Sequence, residues 1–251
     1  MTTDRLTRGA GTHGLLASAL AAAFLAACGG GGGGGGTTAA PAGPATVLNG
    51  VAVDGYLKGA TVFLDLNGNG LQDAGEPSSI TNDTGRYALN YGGVADSVAG
   101  KMIVVTGGID TDTGYAFGGR LTTRAEQAAS GQVVSPFTTL VDALVAQGLT
   151  IDAARSRLAA HLGLSVADLA TDPLAALANQ PAIYTQQVAL QRSIQLLATA
   201  NTREGDSAYA AQQRIVDALA VAIKSGTGQV SVGGLVAQIN ATNTAAGRQL
   251  A

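Results

Sequence analysis

Short apolar runs separated by turn residues mark the chain from about residue 46. Val47, Val51 and Val53 are separated by four and two positions, so they share one face of a strand. Residues 60–64 form a largely apolar run. Further runs lie at 86–89, 101–106 and 115–117. Glycine, aspartate and asparagine separate these runs, a pattern typical of a sandwich of short antiparallel strands. We therefore predict a small antiparallel β-sandwich over residues 46–122.

The apolar spacing changes near residue 134 to the three- and four-residue spacing of helices. Ser135 and Pro136 are residue types that begin helices, and Gly148 is a residue type that ends them. The apolar positions between them are Phe137, Leu140, Val141, Leu144 and Val145. The same signals predict further helices that open at residues 150, 165, 172, 181 and 208, with a last one over 231–240.

The fold class predicted from these two patterns is α+β. The N-terminal β-sandwich is followed by an alanine-rich α-helical bundle over residues 134–251, and residues 123–133 are predicted to be the linker between them.

The first residues have the pattern of a secretion signal. A basic start is followed by an apolar run over 15–27, which is shorter than the roughly 20 residues of a membrane-spanning helix. The run ends in Leu-Ala-Ala-Cys at Cys28, which resembles the lipobox of bacterial lipoproteins. That resemblance implies a signal peptide over residues 1–27, cleavage before Cys28, and lipid on its sulfur and amine. The alternative is a plain signal peptide or membrane anchor with an incidental cysteine.

The residues after Cys28 predict a flexible tether. Residues 29–36 are all glycine, and small residues with two prolines continue to residue 45. Such a stretch cannot bury a core, so the lipidated cysteine and tether together span residues 28–45. Gly29, in place of aspartate after the cysteine, resembles lipoproteins of the outer membrane. Whether the protein faces the periplasm or the cell surface stays open.

Composition narrows the classes of partner. Cys28 is the only cysteine, so no disulfide within the chain is available, and the formal net charge is -3 with only 12% charged residues. The sequence contains no basic stripe, which argues against a nucleic-acid partner. The expected partners are the membrane, through the lipid anchor, and an envelope protein or polysaccharide.

One motif carries recognisable chemistry. Residues 65–76 match the calcium-loop pattern D-x-[DN]-x-[DN]-G-x₅-E at every fixed position. Calcium binds about 6–8 oxygen atoms, and Gly70 permits the sharp bend that such a loop needs. The predicted metal ligands are Asp65, Asn67, Asn69, Asp73, Glu76 and the backbone carbonyl of Leu71. The predicted cofactor is therefore calcium, and the alternative is a polar Asn-Gly hairpin turn without metal.

The flanks of this loop are β-like, because an apolar run precedes it and Pro77 follows it, where an EF-hand has helices. Residues 60–77 resemble the calcium loop of SdrD B-like repeats of serine-aspartate adhesins. Residues 81–89 are similar to a turn of carboxypeptidase regulatory-like, prealbumin-type domains. The resemblance covers residues 48–92 and implies a small, non-catalytic sandwich with Asp65, Asn67, Asn69, Asp73 and Glu76 as calcium ligands.

The other candidate residues favour structural roles. His161 lies in a predicted helix. A catalytic triad that used it would need a nucleophilic serine, but the sequence contains no G-x-S-x-G motif. Asp110 and Asp112 are candidates for a second cation site or for glycosidase carboxylates, but a Gly-Thr-rich segment favours a turn. Asp54 is likewise expected in a turn with Gly55. No catalytic residue is predicted, and the chain is not expected to be an enzyme.

These features predict a membrane-anchored secreted lipoprotein of the cell envelope that acts as a calcium-stabilised structural or binding module. One alternative is a carbohydrate- or protein-binding accessory protein of an envelope machine, with a ligand face near Tyr56, Tyr87 and Tyr115. The other alternative is a hydrolase without a recognisable motif.

Overall fold

The computed structural model describes residues 46–92, 94, 98–126 and 130–226. Within these residues the fold is mixed, with nine strands in three sheets, five α-helices and one short 3-10 helix. The predicted signal peptide, the tether with Cys28 and the predicted helix at 231–240 lie outside the described residues.

The secondary-structure elements are numbered in chain order. The strands are β1 (Val47–Ala52), β2 (Leu57–Lys58), β3 (Thr61–Asp65), β4 (Ser78–Ile80), β5 (Arg86–Asn90), β6 (Met102–Thr106), β7 (Ile109–Asp110), β8 (Arg120–Arg124) and β9 (Ser130–Val134). The helices are α1 (Pro136–Ala146), α2 (Ile151–Leu162), α3 (Pro173–Ala176), α4 (Pro181–Ala200) and α5 (Ala208–Ser225), and the 3-10 helix is Ala167–Ala170.

The strands form a four-stranded sheet in the order β4-β3-β6-β8, a three-stranded sheet in the order β5-β1-β9, and the small pair β2-β7. All pairings are antiparallel except that of β1 with β9, which is parallel. A parallel return needs a long connection, and here the chain passes through the four-stranded sheet between the two strands. Strand β9 lies beyond the predicted β bounds of 46–122, and it adds a parallel pairing that was not predicted.

The segment predicted as a linker, residues 123–133, contains most of β9 and the end of β8. Val133 and Val134 are buried, and the Gln132 side-chain amide donates to the carbonyl of Arg124 at 3.0 Å. Val133 is the only large apolar residue of the segment, and with Val134 directly after it the run is too short to indicate a strand. The β region thus continues directly to the N-terminus of α1.

The two larger sheets share one buried cluster. Its members come from alternate positions of the strands, as expected for side chains that point to one face of a sheet. They include Leu48, Val62, Leu64, Leu89, Ile103, Val105, Leu121 and Val134. Strand β8 is also held to α1, because Thr139 Oγ1 accepts the Thr122 N–H at 2.9 Å and Thr138 Oγ1 donates to the Thr122 carbonyl at 2.7 Å.

The helices bury a second cluster around α1, whose apolar side chains meet those of α2, α4 and α5. It includes Phe137, Leu140, Leu144, Leu158, Ile183, Ile194 and Ile215. The predicted helix start at Ser135 is confirmed, since Ser135 and Thr138 form a reciprocal capping box. The predicted end of the second helix is confirmed at Gly163, which has a φ of 68°. Of the helices that the structure describes, none is both long enough and apolar enough to cross a membrane.

Residues 115–117 do not form the predicted fifth strand. Ala116 makes only an isolated bridge with Ile109, and the side chain of Tyr115 is 77% exposed. Asp110 ends β7 by accepting the backbone N–H of Asp112 at 2.9 Å, which turns the chain before a second strand can pair. The segment after β7 is therefore a loop that leads to β8.

Candidate functional site

Residues 65–76, here called the acidic loop, connect β3 to β4. Asp65 ends β3 in register with Met102 of β6 and is only 1% exposed. One of its carboxylate oxygens accepts the Gly68 N–H and the other accepts the Gly70 N–H, each at 2.7 Å. The first half of the acidic loop is thus wrapped around a buried carboxylate.

Glu76 closes the other end of the acidic loop. Its Oε1 accepts the Leu66 N–H at 2.8 Å, and its Oε2 accepts the Asp73 N–H at 3.0 Å. The backbone N–H of Leu64 also donates to the Pro77 carbonyl at 2.9 Å. These bonds hold the entry and exit of the loop together, which gives the glutamate at the twelfth position a structural role.

The middle of the acidic loop is organised by two asparagines. Both side-chain Nδ2 groups donate to Asp73 Oδ2, from Asn67 at 2.8 Å and from Asn69 at 2.6 Å. Their Oδ1 atoms accept backbone N–H groups two residues onward, that of Asn69 at 3.0 Å and that of Leu71 at 2.7 Å. The amide nitrogens, not the amide oxygens, therefore face the Asp73 carboxylate.

Gly70 is favoured by its left-handed backbone conformation, and the end of the Arg120 side chain packs closely against it. It has a φ of +73°, and a Cβ placed there would lie 2.4 Å from Nη1 of Arg120. That guanidinium donates to the Gly70 carbonyl at 2.6 Å and stands 4.7 Å above the ring of Tyr209 on α5. Lys101 also donates to the carbonyl of Leu66 at 2.7 Å. The side chain of Arg120 on β8 and that of Lys101, which directly precedes β6, thus fix the loop to the rest of the fold.

The donor set of the acidic loop suits calcium in kind and number, with three carboxylates, two amides and a backbone carbonyl. Its arrangement is not that of a formed metal site. Among the described residues no three His, Cys, Asp or Glu side chains are grouped so that they could hold a metal ion. The structure therefore brings all six predicted ligands into one closed loop but does not bring Asp65, Asp73 and Glu76 to one focus.

A second polar cluster was not predicted as a site. Asp54 follows β1, Asp110 lies on β7 and Gln191 lies on α4, and each is less than 10% exposed. Gln191 Nε2 donates to Asp54 Oδ2 at 2.9 Å, and the Gly55 N–H donates to Asp110 Oδ1 at 3.2 Å. A Cβ at residue 55 would lie 2.0 Å from that Asp110 oxygen, so only glycine allows this approach.

Burial dominates the electrostatics of Asp54. Desolvation, with a smaller contribution from the nearby Asp110 carboxylate, raises the pKa of Asp54 to about 7. The hydrogen bond from Gln191 acts in the opposite direction. Asp110 is better supplied with donors, since Thr113 Oγ1 donates to its Oδ2 at 2.8 Å. The predicted turns at Asp54 and Asp110 are present, but they also face α4.

The remaining candidates are dispersed. His161 is half-buried at the end of α2, where desolvation lowers its pKa. Tyr87 is 4% exposed within the sheet core, so its side chain is not available to the ligand face predicted near Tyr56, Tyr87 and Tyr115. Tyr56 instead donates to Asp172 at 3.2 Å.

Comparison of the chain with protein-family models, with curated proteins and with solved structures found no match. The functional inference therefore depends on the residues and their geometry.

Proposed function

We propose that the protein is a lipid-anchored module of the cell envelope whose acidic loop binds calcium and thereby stiffens the β region. The observation that carries this proposal is the closed acidic loop, in which oxygen-bearing side chains at positions 1, 3, 5, 9 and 12 belong to one turn held at its base by Asp65 and Glu76. The lipobox-like sequence at Cys28 supports the anchor.

In this proposal the β region is a sandwich made by the two larger sheets, and the helices form a bundle attached to it. Calcium supplies a double positive charge that offsets the three carboxylates of the acidic loop. To bind it, Asn67 and Asn69 turn their amide oxygens, in place of their nitrogens, toward Asp73. Since two of the five side-chain ligands are neutral amides, we expect affinity nearer to that of extracellular calcium modules than of cytosolic buffers.

Calorimetric titration with calcium tests the loop, using a chain that begins at Thr46. We expect saturable binding in the parent and its loss in Glu76→Gln, which keeps the shape of the side chain and removes its charge. Asp83→Asn is the matched control, because Asp83 is an exposed acid outside the loop that pairs with Lys58 at 3.0 Å. Equal binding by the parent and Glu76→Gln would rule out the calcium role.

The anchor is tested separately by incorporation of labelled palmitate into the full chain. Label in the parent and none in Cys28→Ala supports lipidation. If the parent is exported but carries no label, lipidation is contradicted, and residues 1–27 are then a plain signal peptide.

A second candidate, an accessory binding protein of an envelope machine, is favoured by a different observation. The exposed Tyr115 stands at the rim of a cleft that has Asp54 and Asp110 among its lining residues. An exposed aromatic ring beside buried polar groups is a common arrangement in sites for small polar ligands.

A further inference from the structure

The cleft lies between the loop that follows β7 and the helices α4 and α5, and we call it the acidic cleft. Its volume is about 410 Å³, within the range of about 300–1,000 Å³ that is usual for small-molecule sites. The polar and aromatic side chains that line it include Asp54, Asp110, Tyr115, Gln191, Gln195 and Thr199.

Two buried acceptor atoms in the acidic cleft are unsatisfied. Asp54 Oδ1 and Gln191 Oε1 have no hydrogen-bond partner among the described residues, although these residues are only 8% and 5% exposed. A buried polar atom without a partner costs about 1–3 kcal/mol, so such atoms call for an explanation. Because both atoms are acceptors, the group that satisfies them must be a donor.

The negative charge of the acidic cleft favours a donor that is positively charged. Asp54 and Asp110 bring two carboxylates together, and the lining residues that the structure describes include no Lys, Arg or His. A cationic donor therefore gains more than a neutral one from the same contacts, since hydrogen bonds between ions are about twice as strong as neutral ones. The face of an exposed tyrosine ring, as at Tyr115, also attracts a cation.

We propose that the acidic cleft binds a small ligand that carries a protonated amine, with the ammonium group donating to Asp54 Oδ1 and Gln191 Oε1 beside the Asp110 carboxylate. Gln195 and Thr199 offer hydrogen-bonding groups to the remainder of the ligand. A bare metal ion fits less well, because Asp54 and Asp110 are the only carboxylates among the described residues that line the acidic cleft. This site gives the accessory-protein candidate a ligand class and does not depend on calcium in the acidic loop.

One explanation competes with a ligand. Protonated Asp54 can donate from Oδ1 to Gln191 Oε1 and so satisfy both atoms within the protein. The pKa of Asp54, raised to about 7, allows that proton at neutral pH. An ammonium ligand and this proton exclude each other, so a titration at pH 8, where Asp54 is mainly ionised, distinguishes the two.

The test is calorimetric titration of the full chain in detergent at pH 8 with two matched pairs of probes. Putrescine is compared with 1,4-butanediol, and ethanolamine with ethylene glycol, since each pair differs in amine against hydroxyl groups and both amines are protonated at pH 8. We expect saturable binding of at least one amine at millimolar concentration or below, and binding of its neutral counterpart about tenfold weaker or absent.

The variants follow from the geometry. Asp54→Asn and Gln191→Leu should each lower the affinity for the amine by about tenfold, whereas Asp152→Asn, an exposed acid in the first turn of α2, should leave it unchanged. Tyr115→Ala should lower the affinity about threefold through the lost ring contact. Because Tyr115 is 77% exposed, this variant keeps the fold intact if the buried substitutions do not.

Four outcomes overturn the proposal. They are no saturable binding of either amine, equal binding of an amine and its neutral counterpart, unchanged affinity in a correctly folded Asp54→Asn variant, and displacement of the amine by calcium in a manner that requires Asp54. The first favours the internal proton, the second a neutral polyol site, and the last a metal site.

Discussion

The acidic loop and the acidic cleft contain the same kind of side chain and use it in opposite ways. In the acidic loop the carboxylates of Asp65 and Glu76 accept backbone N–H groups from residues no more than ten positions away. In the acidic cleft the one side-chain bond to Asp54 spans 137 residues, and it leaves an oxygen of each partner unsatisfied.

This difference separates carboxylates that build structure from those that await a partner. A carboxylate that accepts several backbone N–H groups stabilises its ionised form and the turn around it. A buried carboxylate with one free oxygen destabilises the fold until a proton or a ligand meets it. The two regions should therefore respond oppositely when their carboxylates are removed.

The largest expected effect is in the acidic loop. Asp65→Ala removes a buried acceptor of two backbone N–H groups, and we expect it to lower the free energy of unfolding by about 3–5 kcal/mol. Asp73→Ala is the comparison, because Asp73 is exposed and its side-chain contacts come from two exposed amides, those of Asn67 and Asn69. Urea denaturation measures both variants, and an equal loss in the two would show that Asp65 does not organise the loop.

Sequence predicted the acidic loop because all its components are contiguous. The spacing of Asp65, Asn67, Asn69 and Glu76 identifies both the turn and its closing residue. Helix boundaries were predictable for a similar reason, since Ser135 and Gly163 act on backbone groups one turn away. What the spacing does not determine is which amide atom faces Asp73, because Asn67 and Asn69 can present either nitrogen or oxygen.

The acidic cleft and strand β9 could not be predicted in this way. Asp54 and Asp110 come together through the pairing of β2 with β7, and Gln191 joins them through the packing of α4 against the β region. Each of the three alone indicates only a turn or a helix surface. Strand β9 depends on a partner, β1, that precedes it by more than 70 residues. Local patterns contain no information on pairings of that range. Nothing in the sequence of residues 123–133 therefore indicated a strand in place of the predicted linker.

Removal of the Asp54 carboxylate should raise the free energy of unfolding at high pH, whereas removal of the Asp65 carboxylate should lower it. The pKa of Asp54 rises from 3.8 to about 7 on folding, so between about pH 4 and 7 the folded state binds more protons than the unfolded state. Stability therefore falls as the pH rises through this window, by about 3 kcal/mol for this group. In Asp54→Asn this fall should disappear, and the variant should be more stable than the parent at pH 8.

Asp142 is the internal control for that measurement. Burial raises its pKa to about 6, so a smaller decline that ends near pH 6 should persist in Asp54→Asn. In Asp142→Asn the decline up to pH 7 should remain. Urea denaturation at pH 5, 6, 7 and 8 separates the two groups, and an unchanged profile in Asp54→Asn would contradict the burial of its charge.

The third prediction uses calcium to show that the regions are separate. At a free concentration about tenfold above its dissociation constant, calcium should raise the free energy of unfolding by about 1.4 kcal/mol. Glu76→Gln should abolish this gain and Asp54→Asn should retain it, because Asp54 lies outside the acidic loop. Thermal unfolding with calcium or with a chelator measures the gain, and its loss in Asp54→Asn would place calcium in the acidic cleft instead.

The smallest expected effect is a coupling between the two regions through Arg120. Its guanidinium donates to the Gly70 carbonyl of the acidic loop at 2.6 Å, while its backbone N–H donates at 3.3 Å to Gln212, which lines the acidic cleft. A calcium-induced shift of Gly70 therefore acts on the start of β8 and on the rim of the acidic cleft. We expect calcium to change the affinity for putrescine about twofold, roughly 0.4 kcal/mol, and we expect putrescine to change calcium affinity by the same factor.

Arg120→Ala removes the contact with the acidic loop and keeps the backbone bond to Gln212. Both affinities should then become independent of the other ligand, because the loop can shift without moving β8. Calorimetric titration of each ligand in the presence and absence of the other measures this coupling. A twofold change that persists in Arg120→Ala would mean that the regions communicate through the shared sheet core instead, since Asp65 ends β3 and lies beside β6 in that sheet.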